Sequence, residues 1–443
     1  MDILKDDVKK LYLKYFFPTV GSALITSIYI LFDTIFIGQG VGANGLAALN
    51  IILPIYSVIF GIGYALGIGG STVMAIERGR GHKEKADQVA TLAIIIGFLS
   101  SIILVLILVL FIEDIAYMLG ATEVTIELIK EYMSIINFGT IPFILGATMQ
   151  GLVRADGVPK RAMVATITGG VLNIILDYIF VMPLGMGMFG AALATFISYC
   201  VSSTLVITHL LSKKNNIKLN KNCFKFNYLT RIIKCGIPSF FIEMSAGIVI
   251  YLFNTQLLKY VGNVGITAYS IISNSAMIVT SILNGICQTI QPLVSTNIGA
   301  KKLDRALALR KIALTVGTVF GVVYAFIGFL FPEVLINIFV TPTEEILNIA
   351  IIAIRIYFCS FFVLGANMVI GGFFQAIEMP KVAILISVIR GLVLISIFVF
   401  LLPALFGING IWMSVPLTEA LTLILTLYLS RKILKQPKKY SLI

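Results

Sequence analysis

Between Asp87 and Glu113 the chain carries no charged residue, and the segment VATLAIIIGFLSSIILVLILVLF is almost wholly aliphatic. A bilayer core about 30 Å thick is crossed by about 20 apolar residues in a helix. In hydrocarbon every backbone N–H and C=O must be paired internally, which leaves helices or closed barrels, and these runs are far longer than a barrel strand. Comparable runs recur near 15–37, 46–76, 88–111, 124–152, 162–183, 189–211, 236–260, 264–296, 308–331, 345–377, 382–403 and 409–430. With 58% hydrophobic and 12% charged residues in 443, a soluble globular chain is excluded. The first run is too long for a signal-peptide core and has no small-residue cleavage site, so it counts as a span. The expected fold is an all-α polytopic membrane protein with twelve transmembrane helices.

The formal charge of +12 is explained by position. All but four of the 33 Lys and Arg residues fall in the N-terminal segment, in Arg78 to Lys85, Arg154 to Arg161, Lys213 to Lys234 and Lys301 to Lys311, at Lys381, or in the tail from Arg431. The exceptions are Lys130, Lys259, Arg355 and Arg390. These basic segments alternate with loops bearing Glu113, Asp114, Glu123, Glu333, Glu344 and Glu345. The positive-inside rule therefore places both termini in the cytoplasm, and nucleic acid is not expected as a partner. Five scattered cysteines show no metal or redox spacing, and His82 and His209 stand at span ends. The GIGYALGIGG stretch at 61–70 lies inside a span and reads as close helix packing. There is no P-loop, no catalytic triad and no metal cluster, so neither an enzyme nor an ATP-driven pump is expected, and no cofactor beyond a coupling ion.

The chain repeats itself. FDTIFIGQGVGANGLAAL at 32–49 aligns with FNTQLLKYVGNVGITAYS at 253–270, GRGHKEKA at 79–86 with GAKKLDRA at 299–306, RADGVPK at 154–160 with QAIEMPK at 375–381, and PLGMGMFG at 183–190 with PALFGING at 403–410. The expected organisation is an N-lobe over 1–211, a polar linker over 212–232 and a C-lobe over 233–443. Two such six-helix lobes, related in parallel, would enclose a central cleft able to face each side in turn.

A charge at mid-membrane costs about 2.5–3.5 kcal/mol on insertion scales, so each needs a reason. In the first span Ser22, Thr26, Tyr29 and Asp33 form one stripe. In the fifth, Asn173 and Asp177 stand four apart and share a face. With Asp33 nearby, two carboxylates in low dielectric must share a proton or hold a cation. Asn173 and, on the sixth span, Thr195 would add neutral oxygens that suit Na⁺. A structural network tying spans together is the alternative. The second lobe has Asn254 in place of Asp33 and no carboxylate in RGLVLISIFVF. It carries Glu243 and Glu419 instead, with Arg390 able to neutralise either. Asn274, Ser281, Asn284, Gln288, Gln291 and Ser295 form a stripe along the eighth span. That stripe suits a wet cavity wall or polar packing between spans.

Taken together, these residues resemble the multidrug and toxic compound extrusion (MATE) family over essentially the whole chain. The resemblance rests on the twelve spans, the two lobes, the basic linker and the paired loops after spans two and eight. It rests also on Pro18 with Asp33 in the first span and on N-x-x-x-D at Asn173 and Asp177. The resemblance implies a cation site at Asp33, Asn173, Asp177 and Thr195, with Tyr132 close by and bending of the first helix at Pro18. It implies a secondary active multidrug efflux antiporter exchanging Na⁺ or H⁺ for amphipathic, often cationic organic compounds. Tyr29, Glu243, Asn274, Asn284 and Gln288 would line the substrate cavity. Such a protein is expected as a monomer in the bacterial plasma (inner) membrane, with small-molecule substrates, a coupling cation and the lipid bilayer as its partners. A lipid-linked oligosaccharide flippase of the same superfamily and a non-coupled channel are the alternatives.

Overall fold

The computed structural model describes residues 2–339 and 342–437, and the last two lysines of the basic tail, Lys438 and Lys439, lie outside them. Among the described residues there is no strand. The first half holds α1 (Val8–Gly40), α2 (Ala43–Gly79), α3 (Lys83–Met118), α4 (Glu123–Ala155), α5 (Pro159–Val181) and α6 (Gly187–Ile207). The second half holds α7 (Phe226–Val261), α8 (Asn263–Gly299), α9 (Leu303–Leu330), α10 (Pro332–Phe339), α11 (Glu344–Phe358), α12 (Phe361–Ala376), α13 (Pro380–Val388), α14 (Ile395–Phe406) and α15 (Ile408–Leu434).

Local chemistry sets the helix ends. The Asp7 carboxylate accepts from the Lys10 amide at the start of α1, and Thr122 with Thr125 closes a capping box on α4. Pro159 and Pro380 open α5 and α13, where a missing N–H costs nothing. The two-residue turn between α1 and α2 passes through Gly42 at φ 88°, a conformation that penalises any Cβ.

Eleven helices are long and apolar enough to span a membrane, and a bent pair brings the number to 12. That pair is the span expected over 345–377, present as two helices: α11 and α12 meet at Cys359 and Ser360 with a bend of 43°. The short α10 was not expected; Pro332 starts it where α9 ends. The span over 382–403 is interrupted by one π-helical turn, Ile389–Leu394, between α13 and α14. Such turns bulge a helix and are frequent at functional sites; Arg390 lies in this one.

The two halves exchange their first turns. Leu11, Tyr12 and Tyr15 of α1 pack into the apolar core of the second half. Cys223, Tyr228, Ile232 and Cys235, in and before α7, pack into that of the first. Above this exchange α2 crosses α7 and α1 crosses α8, with backbones in direct apposition. A Cβ on Gly236 would collide with the Ala65 carbonyl, and one on Gly285 with the Val20 backbone. Small residues supply the same close approach between helices in lipid. The Gln291 amide adds hydrogen bonds to the Ile68 carbonyl at 3.2 Å and the Thr72 hydroxyl at 2.8 Å. Among the described residues, polar and glycine contacts between the halves gather at the basic-loop end and reach no further than Ser27–Ser281 and Gly247–Ser57.

Candidate cation site and the cleft around it

Two glycines bring the fifth span's polar face to its neighbours. A Cβ on Gly169 would stand 2.8 Å from the Ser202 Cβ of α6, and one on Gly170 would stand 3.0 Å from Ile25 and 3.1 Å from Tyr29 of α1. One turn further on, Asn173 and Asp177 are 1% and 0% exposed. Asn173 Nδ2 donates to Thr195 Oγ1 at 3.2 Å. The oxygens beside it have no donor. Asn173 Oδ1, both Asp177 carboxylate oxygens and Asp33 Oδ1 are buried without a hydrogen-bond partner. Asp33 and Asp177 lie within electrostatic reach of each other and of Tyr132. The Tyr132 hydroxyl is itself tied to that of Tyr56 at 2.7 Å. An ionised carboxylate cannot stay buried and unpaired at such a site. Four acceptor oxygens without a donor suit a proton or a small hard cation, and Asp33, Asn173, Asp177 and Thr195 are the residues that would hold it.

Below Asn173 a cavity opens within the first half. Thr26, Tyr29, Tyr64, Gln150 and Ser203 are among its lining residues, and no carboxylate is. Two stripe hydroxyls are already satisfied within α1: Ser22 bonds the Pro18 carbonyl at 2.8 Å and Thr26 the Ser22 carbonyl at 3.0 Å. Pro18 is buried inside α1, which stays helical across it.

In the second half the expected residues divide. Glu243 is half-buried on α7, with no ion pair or side-chain hydrogen bond among the described residues, and lies within electrostatic reach of Tyr64. Asn274, Asn284 and Gln288 are half-buried on α8 without a side-chain partner. Ser281, Gln291 and Ser295 are structural bridges, to Ser27, to α2 and to the Ala376 carbonyl. Of the two partners open to Arg390, the structure selects Glu419: Arg390 Nε reaches Glu419 Oε1 at 2.6 Å. Asn367 Nδ2 donates to Glu419 Oε2 at 2.8 Å, and Thr426 to Asn367 Oδ1 at 3.1 Å. This carboxylate already has its cation.

Sequence reasoning missed four features. Tyr199, one turn beyond Thr195 and so on its face, also lines the cavity; the four-residue spacing was the available signal. Arg154, counted among loop cations, is 7% exposed. At the basic-loop end, Arg231 of α7 joins Glu77 of α2 at 2.7 Å and also pairs with Glu378, bridging the halves. Arg80 and His82 add contacts to Glu77 at 2.8 and 3.1 Å. A second network fastens the linker. Asp156, which follows α4, accepts from Arg78 at 2.5 Å, meets His209 Nε2 at 2.7 Å and accepts from the Asn216 amide at 3.0 Å. Burial alone would raise the Asp156 carboxyl, but these partners hold it below the usual carboxylate range.

A duplicated bundle of spanning helices, with donor-less carboxylates sunk in one half beside an internal cavity, defines a multi-pass membrane transporter. The MatE family model matches residues 18–179 and 237–401, one stretch in each half, and the chain belongs to that family. The multidrug export protein MepA of Staphylococcus aureus (strain MSSA476) is 27% identical over 433 residues, covering 96% of this chain and 95% of that protein. The Staphylococcus saprophyticus MepA is 28% identical with the same coverage. A multidrug resistance MATE family transporter of the MOP superfamily, solved in an outward-facing conformation, superposes with a TM-score of 0.93. It is 22% identical, with 99% of this chain and 98% of that one covered.

Proposed function

We propose that this protein is a secondary active multidrug exporter of the cell membrane that takes in Na⁺ or H⁺ and expels amphipathic organic compounds by alternating access of its two halves. The observation that carries the reading is the Asp177 carboxylate, wholly buried with neither oxygen within hydrogen-bonding distance of a donor among the described residues, one helical turn from an equally donor-less Asn173 carbonyl oxygen. A site left so unsatisfied is most stable with its cation, and a cation that binds and leaves is what a coupled transporter needs. A protonated Asp177 could donate to Asn173 Oδ1, while Na⁺ would draw on all four oxygens, so the donor set serves either ion. The closed basic-loop end and the parting of the halves beyond Ser27 and Ser57 support a form open to the opposite side. With the termini in the cytoplasm, that side is the exterior. The names of the MepA relatives support the export direction and the substrate class. The working unit is a monomer, because each chain contains both halves of the cleft.

The test is dye efflux from proteoliposomes with Na⁺ and H⁺ gradients imposed separately, for wild type, Asp33→Asn and Asp177→Asn. Wild type should export only against an inward gradient of one ion. Each variant should lose coupled export by roughly a hundredfold or more, as expected when about 3 kcal/mol of ion binding is removed. Full coupled export by both variants would overturn the site. Efflux without any gradient would mark a channel, and movement of lipid-linked sugar in place of dye would mark a flippase.

A further inference from the structure

We propose that the segment joining the two halves lies on the bilayer surface at the basic-loop end and binds anionic phospholipid there. Between α6 and α7, over 208–225, the chain holds Lys213, Lys214, Lys218, Lys221 and Lys225 and no Asp or Glu. All five lysines are exposed, and none has an ion pair among the described residues. Four large apolar side chains stand out beside them: Leu211 is 88% exposed, Leu219 64%, Phe224 71% and Phe226 84%. Exposed apolar side chains gathered in one patch mark a contact surface. Interleaved with lysines, next to spanning helices, they match a segment seated in the headgroup layer.

The first half holds this segment at one depth. The Lys218 amide donates to Asp87 Oδ1 at 3.1 Å and the Asn220 amide to Thr91 Oγ1 at 3.0 Å. Both acceptors stand on α3, whose uncharged run begins at Gln88, so Thr91 lies at the edge of the stretch that crosses hydrocarbon. Leu219, between the two anchored amides, is thereby level with the junction of headgroups and acyl chains. Ile217 and Cys223 pack inward on the first-half core, and Leu219 and Phe224 are left on the outer side. Of the acids nearby, Asp87 is buried against the linker backbone, and Glu84 is flanked by Lys83 and Lys85. The outer face is therefore positive. An ammonium is a point charge that suits phosphate. Free phosphate would leave Leu211, Leu219, Phe224 and Phe226 in water, whereas a phospholipid covers them with its chains. The inference rests on the assignment of the spans and is independent of the exporter reading.

The contact can be read by quenching of an introduced indole. Full-length protein carrying Phe224→Trp is placed in phosphatidylcholine bilayers that contain phosphatidylglycerol or phosphatidylcholine brominated near the carboxyl end of its acyl chains. Trp412, the one native tryptophan, is buried, and protein without Phe224→Trp supplies its background. Both brominated lipids should quench the introduced indole. Phosphatidylglycerol should occupy the contact about fivefold more readily or better, the effect of one lysine at an anionic surface. Lys218→Gln, Lys221→Gln and Lys225→Gln together should bring the two lipids within about twofold and leave quenching by phosphatidylcholine unchanged. Absence of quenching by either lipid overturns the proposal, placing the segment in water or beneath a second copy of the chain. Equal occupancy by the two lipids with all lysines in place also overturns it, as does a preference that survives in the triple lysine variant. Failure of the exporter reading would leave these results as they are and would appear instead as full coupled efflux by Asp33→Asn and Asp177→Asn.

Discussion

At the scale of single residues, the chain sorts its buried charges by whether a partner is built in. Asp156 is the supplied kind, with Arg78, His209 and the Asn216 amide around one carboxylate. Its folded-state value is depressed, so its contribution to stability is complete above the ordinary Asp range near pH 3.9 and disappears as pH falls through the lower folded value. Asp156→Asn should therefore lower the thermal midpoint at neutral pH by several degrees. The gap to wild type should close below about pH 4; calorimetry across pH checks it. Asp177 is the unsupplied kind. That contrast was half legible in the sequence. The Asn173–Asp177 spacing and the placement of Asp33 in a span single out these buried acids from the sequence alone. Arg154 was hidden because its segment, RADGVPK, reads as one more basic loop, and only the packing of α4 against α2 reveals that its first residue is buried.

At the scale of elements, periodicity and loop charge carried the bundle, and the departures have local causes. The bend between α11 and α12 and the π turn before α14 are changes of backbone path within apolar sequence, which hydropathy does not register. The crossing of α2 with α7 depends on glycines whose partners are carbonyls far away in sequence. Where these helices meet at the basic-loop end, Arg231 bridges Glu77 and Glu378 across the halves. Arg231→Ala leaves Glu378 without its cation and Glu77 with only Arg80 and His82 of its own half, so the ionic link between the halves is lost. Spin labels on the exposed Lys85 and Lys301 positions should then report a larger share of long distances. A change of about 1.4 kcal/mol would move the ratio of closed to open forms tenfold. An unchanged distance distribution would mean that the backbone crossings alone hold the halves together.

At the scale of the whole molecule, duplication has produced two halves alike in path and unlike in chemistry. The repeat was visible in the sequence, as was the loss of the second-half carboxylates opposite Asp33 and Asp177. What the sequence left open was the fate of Glu419, because pairing it with Arg390 or leaving it bare fits the same residues. The structure answers with Arg390 Nε at 2.6 Å and Asn367 at 2.8 Å. Removing one partner of a buried pair typically costs about 3–5 kcal/mol, so Arg390→Met should destabilise the protein. That loss should be recovered in part by low pH or high Na⁺, neither of which should help the double variant Arg390→Met with Glu419→Gln. Thermal midpoints measured across pH and salt would separate the two. The second half thus carries its counter-ion covalently attached, as a permanently occupied seat beside Glu419. On the exporter reading proposed above, only the first half would hold an exchangeable cation, and gaining a second such seat would take no new fold, only the freeing of Glu419 from a single arginine on a bulged helix.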